Sequence, residues 1–454
     1  MNDMQSRLAE LLKAGVGDPP GRVTVQAVRH QMARRRVVAA VGAAAAMAVV
    51  AAISAGLFGR VGNPGPMVSP TVSATPVPCR PGWSVAAGAA PAGDHQDRLV
   101  AIAGSASYDV WAVGDRLPDP SHVFPLLEHW DGRRWAYSAG ASLGGRQAWL
   151  TSVAALSSDD VWAVGYFASG RRSPEAPLIE HWNGRSWSLR PTDALTRLKG
   201  ALPQTLASVV ALAPDDVWVS GHGVRGSGPF DVFLHWNGAS WKLIPGPHLI
   251  SPRLGSAWMQ TLGTDHRGRV WAVGGWVRGQ SEAGVPAGGI VERWNGRQWE
   301  VDRHAAWRKP LTMVAPVAPD DVWAITGGGF TIAGFGYGVS PVQVLHWNGR
   351  SWKVELSLGG TGSVDPTGLV AVSADDAYVI GQEIPTQQPF IDHWNGTRWR
   401  RVPAGPTRQM QRLGPRTIEF RSPSLTVTSD GSIAALDTQG LTDQANFLWF
   451  RCQH

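Results

Sequence analysis

Cysteine is nearly absent from this chain, with two in 454 residues, Cys79 and Cys452, and there are only five tyrosines. Charge is sparse too, at 17% Asp, Glu, Lys and Arg, against about a quarter in typical domains. Beside 43% hydrophobic residues and 54 glycines, that balance excludes a disordered chain and suits a turn-rich all-β domain. Short catalytic motifs are scarce as well. There is no metal-binding His-Glu-x-x-His and no phosphate loop, and the one Gly-x-Ser-x-Gly match, Gly140–Gly144, lies in a connection between repeats. The net charge of +6 does not point to nucleic acid, because the arginines are scattered along the chain.

Tryptophan, by contrast, is abundant: there are 23, and most of them recur in order. "DVWAVG" at Asp109 returns at Asp160, as "DVWVSG" at Asp216, "RVWAVG" at Arg269, "DVWAIT" at Asp321 and "DAYVIG" at Asp376. Each copy leads to a second block, from "EHWDGRRW" through "EHWNGRSW" and "ERWNGRQW" to "DHWNGTRW". The aromatics Trp111, Trp162, Trp218, Trp271, Trp323 and Tyr378 follow one another at 51 to 56 residues. A fixed period of that length marks stacked supersecondary units. Within a unit, "LTSVAAL", "VWAVG", "PLIEHW" and "SWSLRP" read as four short strands. Asn183-Gly184 between the last two is a hairpin signal, because a type I′ turn needs positive φ at both central residues. No helical period interrupts the repeats. Four antiparallel strands repeated about an axis make a propeller blade.

These motifs resemble the kelch-like and galactose-oxidase-type bacterial propeller repeats, over roughly residues 79–452. The resemblance implies a fold rather than a function, since such propellers host both enzymes and binders. Copper chemistry of the galactose-oxidase kind would need a cysteine linked to a tyrosine near the axis, which the two cysteines here do not offer. The sialidase Asp box is also missing, and no cofactor is expected.

Six repeats are complete, and two incomplete pieces remain. "SLTVTSDGSIAAL … NFLWFRC" matches three strands, with Trp449 in the third-strand slot, and "GWSV" near Trp83 supplies a fourth. The expectation is a seven-bladed all-β propeller whose last blade both chain ends share, preceded by one transmembrane helix. Cys79 and Cys452 fall where the other repeats carry the Asn-Gly or Asp-Gly turn, so a disulfide is expected there.

The segment Val37–Phe58 holds 22 residues without a charge, enough to cross a bilayer. Arg34, Arg35 and Arg36 precede it and favour a cytoplasmic N-terminus. A cleaved signal peptide is the rival reading. The division is then a cytoplasmic segment 1–36, a membrane helix 37–58, a Pro/Ser/Thr-rich spacer 59–78 and a propeller 79–454. This places the propeller outside a bacterial cell membrane.

The repeat accounts for 19 tryptophans, read as packing between blades. Trp149, Trp258, Trp276 and Trp307 are left over, in long variable connections expected to share one face with Arg253, Arg303, Arg308 and Arg412. Trp beside Arg suits a glycan with acidic groups, or a protein partner. The alternative is that these tryptophans plug the ends of the core. The repeated histidines His129, His181, His235, His346 and His393 read as structural, because neighbouring copies cannot converge on one metal ion. The functional expectation is a non-catalytic binding module. Two alternatives stand beside it: a sensor signalling through the anchor to a cytoplasmic regulator, and a polysaccharide hydrolase or lyase using His222, His266 or His304.

Overall fold

The computed structural model describes residues 82–87 and 96–452, less 120–121, 169–173, 192–201, 226–227, 248–255, 266, 278–287, 303–306, 308, 333–334, 360–362, 385–388, 403–424, 429–431 and 438–446. Six four-stranded sheets follow one another along the chain, each antiparallel and in sequence order. They are blade 1 (96–137), blade 2 (147–189), blade 3 (202–245), blade 4 (256–301), blade 5 (311–358) and blade 6 (363–402). Blade 2 shows the plan, with strands Gln147–Ser157, Asp160–Ala168, Pro174–Trp182 and Trp187–Leu189. The first strands line a central channel of about 330 Å³, walled by short aliphatic stretches such as Ala101–Gly104, Ser152–Ala155 and Ser208–Ala211.

Each first strand of blades 1 to 6 carries a bulge, between Leu150 and Ser152 in blade 2 and at the matching place elsewhere. The bulge explains the glycine that ends "VWAVG". A Cβ on Gly165 would lie 1.9 Å from the Trp149 carbonyl oxygen, and one on Gly274 equally close to that of Trp258. The freed hydroxyls join neighbours: Ser152 Oγ accepts the Val209 N–H at 3.2 Å, and Thr151 Oγ1 donates to the Leu206 carbonyl at 2.7 Å.

The repeated tryptophans pack between blades. Trp162 meets Trp236 and Trp241 of the next blade at ring-centroid distances of 5.6 and 5.5 Å, and its own His181 at 4.2 Å. Trp111, Trp218 and Trp323 do the same with the blade that follows each. Aromatic burial on this scale dominates core energetics.

The chain ends meet in a further sheet, in the order Gly82–Ala87, Phe447–Cys452, Ile433–Asp437, Leu425–Val427. It differs from the blades. Ala434 stands where the blades carry the caged aromatic, packing towards blade 1. Trp449 lies opposite Ala435, which is the place of Glu180 opposite Ala163 and not that of Trp182. The expectation of seven equivalent blades plus a membrane helix is therefore corrected: six blades recur in full, and the end-to-end sheet carries Ala434 in place of their caged aromatic. All described elements are strands, and among the described residues no helix is long and apolar enough to cross a membrane. The expected span 37–58, its flanking segments and Cys79 lie outside the described residues. Cys452 pairs in register with Gly82.

Candidate ligand-binding face

First strands begin, and second strands end, on the face of long connections. Blade 1 places two consecutive polar residues after its bulge glycine, Asp115 and Arg116. Arg98, opposite Asp115 in the strand pair, donates to Asp115 Oδ1 from Nε at 3.1 Å and Nη2 at 2.8 Å. Asp115 is buried, and the paired guanidinium compensates its charge. With its direction so fixed, the Arg98 guanidinium lies 5.4 Å from the Trp149 ring of blade 2.

Two more arginine–aromatic pairs flank this one. The Arg116 guanidinium sits 4.9 Å from the Tyr137 ring centre, and that of Arg146 sits 3.6 Å from Phe167. Such stacking holds a cation over the ring's negative face. Tyr137 is 49% exposed and Arg146 is also exposed, so both pairs are open to solvent. Beneath them Trp149, Leu117, Val123 and Ala168 form a buried cluster with Tyr166 packed against it. Gln147 Oε1 accepts the Val123 N–H at 3.2 Å, joining blade 2 to blade 1.

The connection that delivers Arg146 is anchored from below. Glu180, fully buried in the third strand of blade 2, accepts the Ala141 N–H at 2.9 Å. Burial pushes its carboxyl up to about 7, offset only partly by that hydrogen bond. Glu292 holds the same place in blade 4, and burial raises it to about 8.

The four left-over tryptophans do not form one open surface. Trp149 and Trp258 lie within first strands rather than connections, 4% and 2% exposed. Trp258 lies against Gly275, where a Cβ would fall 2.2 Å from its ring. Trp276 is in the second strand of blade 4, packed against a core that includes Trp218 and Met259. Trp307 does occupy a connection; its carbonyl accepts the Gly289 N–H at 2.9 Å, and its side chain packs against a core with Trp271 and Leu311. Arg253, Arg303, Arg308 and Arg412 lie outside the described residues, as do His266 and His304. His222 stands in the second strand of blade 3 opposite Asp231, and burial holds its imidazole down at about 4, neutral at physiological pH. Among the described residues no group of three or more acidic, His or Cys side chains could hold a metal ion.

Counting tryptophans missed Arg98, Arg116, Arg146 and Tyr137. The signal available was the residue pair after the bulge glycine: Asp115-Arg116 in blade 1 stands where blade 2 has Tyr166-Phe167 and blade 4 has Gly275-Trp276.

No protein-family model matches the chain, and no curated protein matches it. Among solved structures, it is similar to YCF48 bound to D1 peptide, with a TM-score of 0.46 and 16% identity over 82% of this chain and 97% of that one. YCF48 from Cyanidioschyzon merolae gives 0.45 and 14%, over 82% and 98%. The GH74 xyloglucanase from Xanthomonas campestris gives 0.45 and 11%, over 71% of this chain and 47% of its own.

Proposed function

We propose that this propeller is a binding module that captures a ligand bearing acidic groups, a glycan or a surface protein, on the long-connection face of blades 1 and 2. The observation that carries the reading is the two solvent-open arginine–aromatic pairs, Arg116 on Tyr137 and Arg146 on Phe167, with Arg98 held by Asp115 near Trp149. A guanidinium held over a ring has already lost much of its rotamer freedom. It meets a carboxylate or sulfate with two parallel donors at little further entropic cost. The flanking Tyr137 offers the flat apolar contact that sugar rings and peptide side chains use. In this reading the propeller stands on the outer side of a bacterial cell membrane, within reach of such ligands.

The test is a glycan array and a surface-protein pull-down with the purified full chain, repeated with Arg116→Ala and Arg146→Ala. Both side chains are at least partly exposed, so the variants keep the wild-type melting temperature. Capture of acidic ligands that falls at least tenfold in both variants, roughly 1.4 kcal/mol or more, supports the reading. Capture unaffected by either change, or ligands without acidic groups, overturns it.

A further inference from the structure

The opposite face, of short turns, repeats one arrangement five times. The aspartate that opens the second strand takes a hydrogen bond from the histidine of the third, at 2.7 Å for Asp109–His129, 2.9 Å for Asp160–His181 and Asp216–His235, and 2.8 Å for Asp321–His346 and Asp376–His393. The imidazole lies on the caged aromatic, as His129 does on Trp111 at 4.4 Å.

Blade 4 places an arginine at both positions. Arg293 pairs with Trp271 in register, as His181 does with Trp162, and its guanidinium lies 5.2 Å from the Trp271 ring centre. Arg269 precedes Val270 as Asp160 precedes Val161. Where five blades set an acid against a base, blade 4 sets two cations. Two acids lie nearby: Asp265, buried with Oδ2 unpartnered, and Glu300, opposite Arg293 in the third–fourth strand pair. Asp265 Oδ1 accepts the backbone N–H groups of Arg267 and Arg269, and Glu300 accepts from Asn295. Among the described residues neither the Arg269 nor the Arg293 side chain has an acidic partner.

Space is also left there. In blades 2, 3 and 5 the two turns touch: a Cβ on Gly184, Gly238 or Gly349 would fall 2.7 to 2.8 Å from the Cβ of Asp159, Asp215 or Asp320. Blade 4 has Gly268 in place of that aspartate, and a Cβ on Gly296 would meet nothing within 4 Å. A replaced second-strand carboxylate and a missing turn contact coincide at one rim, beside exposed Arg297 and Arg267.

We propose that the short-turn rim of blade 4 is an oxyanion site, in which a phosphate group lies between Arg269 and Arg293 where the other blades place an aspartate carboxylate. Guanidinium groups recognise phosphate through paired, charge-assisted hydrogen bonds. The site is distinct from the face of blades 1 and 2 and does not depend on that reading.

Titration calorimetry of the full chain with inorganic phosphate, against chloride of matched ionic strength, tests it. Saturable binding is expected in the wild type. The double variant Arg269→Asp, Arg293→His rebuilds the pair that the other blades carry, so it folds, and its phosphate affinity falls at least about tenfold. Arg269→Gln alone falls in the same direction, while Arg185→Ala, in the exposed short turn of blade 2, leaves phosphate binding unchanged. Cosedimentation with phosphatidylglycerol vesicles, against phosphatidylcholine, identifies the source. Retention that depends on Arg269 and Arg293 assigns a lipid-borne phosphate; calorimetric binding without retention assigns a soluble one. Absence of saturable binding in the wild type, or equal binding by the rebuilt variant, overturns the proposal.

Discussion

Gly165→Ala puts the account of the bulged first strand at risk with a single methyl group. The added Cβ would sit 1.9 Å from the Trp149 carbonyl oxygen and 2.9 Å from Leu150 Cα. Carbon and oxygen approach no closer than about 3.3 Å, so the first and second strands of blade 2 must separate by about 1.4 Å. That is enough to break the pairing of Leu150 with Gly165. Overpacking of this kind costs about 1–3 kcal/mol, and a buried backbone group left unpaired about 1–3 kcal/mol more. The expected loss is about 2–6 kcal/mol. With unfolding entropy near 2.1 cal/mol/K per residue over about 370 residues, each kcal/mol moves the melting temperature by about 1.3 °C, giving a drop of about 3–8 °C. Gly144→Ala is the control: its φ is +63° with nothing within 4 Å, so only the left-handed backbone term of about 1 kcal/mol applies. Differential scanning calorimetry on the full chain decides between them. A Gly165→Ala melt no lower than that of Gly144→Ala would falsify the close-approach argument.

Trp162→Ala empties the contact with Trp236 and Trp241 and is expected to cost about 3–5 kcal/mol, read as a lower denaturation midpoint. Asp160→Ala removes the acceptor shared by His181 Nε2 and Trp162 Nε1 and costs about 1–3 kcal/mol, with the loss shrinking in a Trp162→Phe background. Glu180→Gln tests the buried carboxyl. Its pKa is near 4.5 unfolded and about 7 folded, so between those values the native state binds more protons than the unfolded chain. Wild-type stability then declines as pH rises from about 4.5 to 7, by at most ~3 kcal/mol. The glutamine keeps an acceptor for the Ala141 N–H but cannot ionise, so it matches wild type near pH 4.5 and melts higher at pH 8. A difference that does not vary with pH refutes the assignment.

The blades were legible because their signals are local. An Asn-Gly turn, a glycine at a crowded carbonyl and a tryptophan at a fixed spacing each act within one hairpin or across one blade boundary. The end-to-end sheet was legible only in part. Trp83 occupies the expected slot, opposite Arg451, whereas Trp449 is displaced from its own, because pairing register across distant segments leaves no trace in spacing. The left-over tryptophans misled for a related reason. Composition marked Trp149 and Trp258 as exceptional, but burial in an extended first strand is a tertiary outcome, and both became floor rather than surface. The stacked arginines of blades 1 and 2 escaped notice because Arg98 and Trp149 lie in different blades, and no periodicity links them.

The sheet that unites the chain ends also sets a schedule for biosynthesis. Gly82–Ala87 leaves the ribosome early but pairs with Phe447–Cys452, which follows some 360 residues later. At about 5–20 residues per second the early strand waits roughly 20–70 s for its partner. During that interval the nascent blades stand as an open arc with two unprotected edges. A chain stalled before residue 447 lacks the strand that pairs with Gly82–Ala87 and stays an arc until that strand is made.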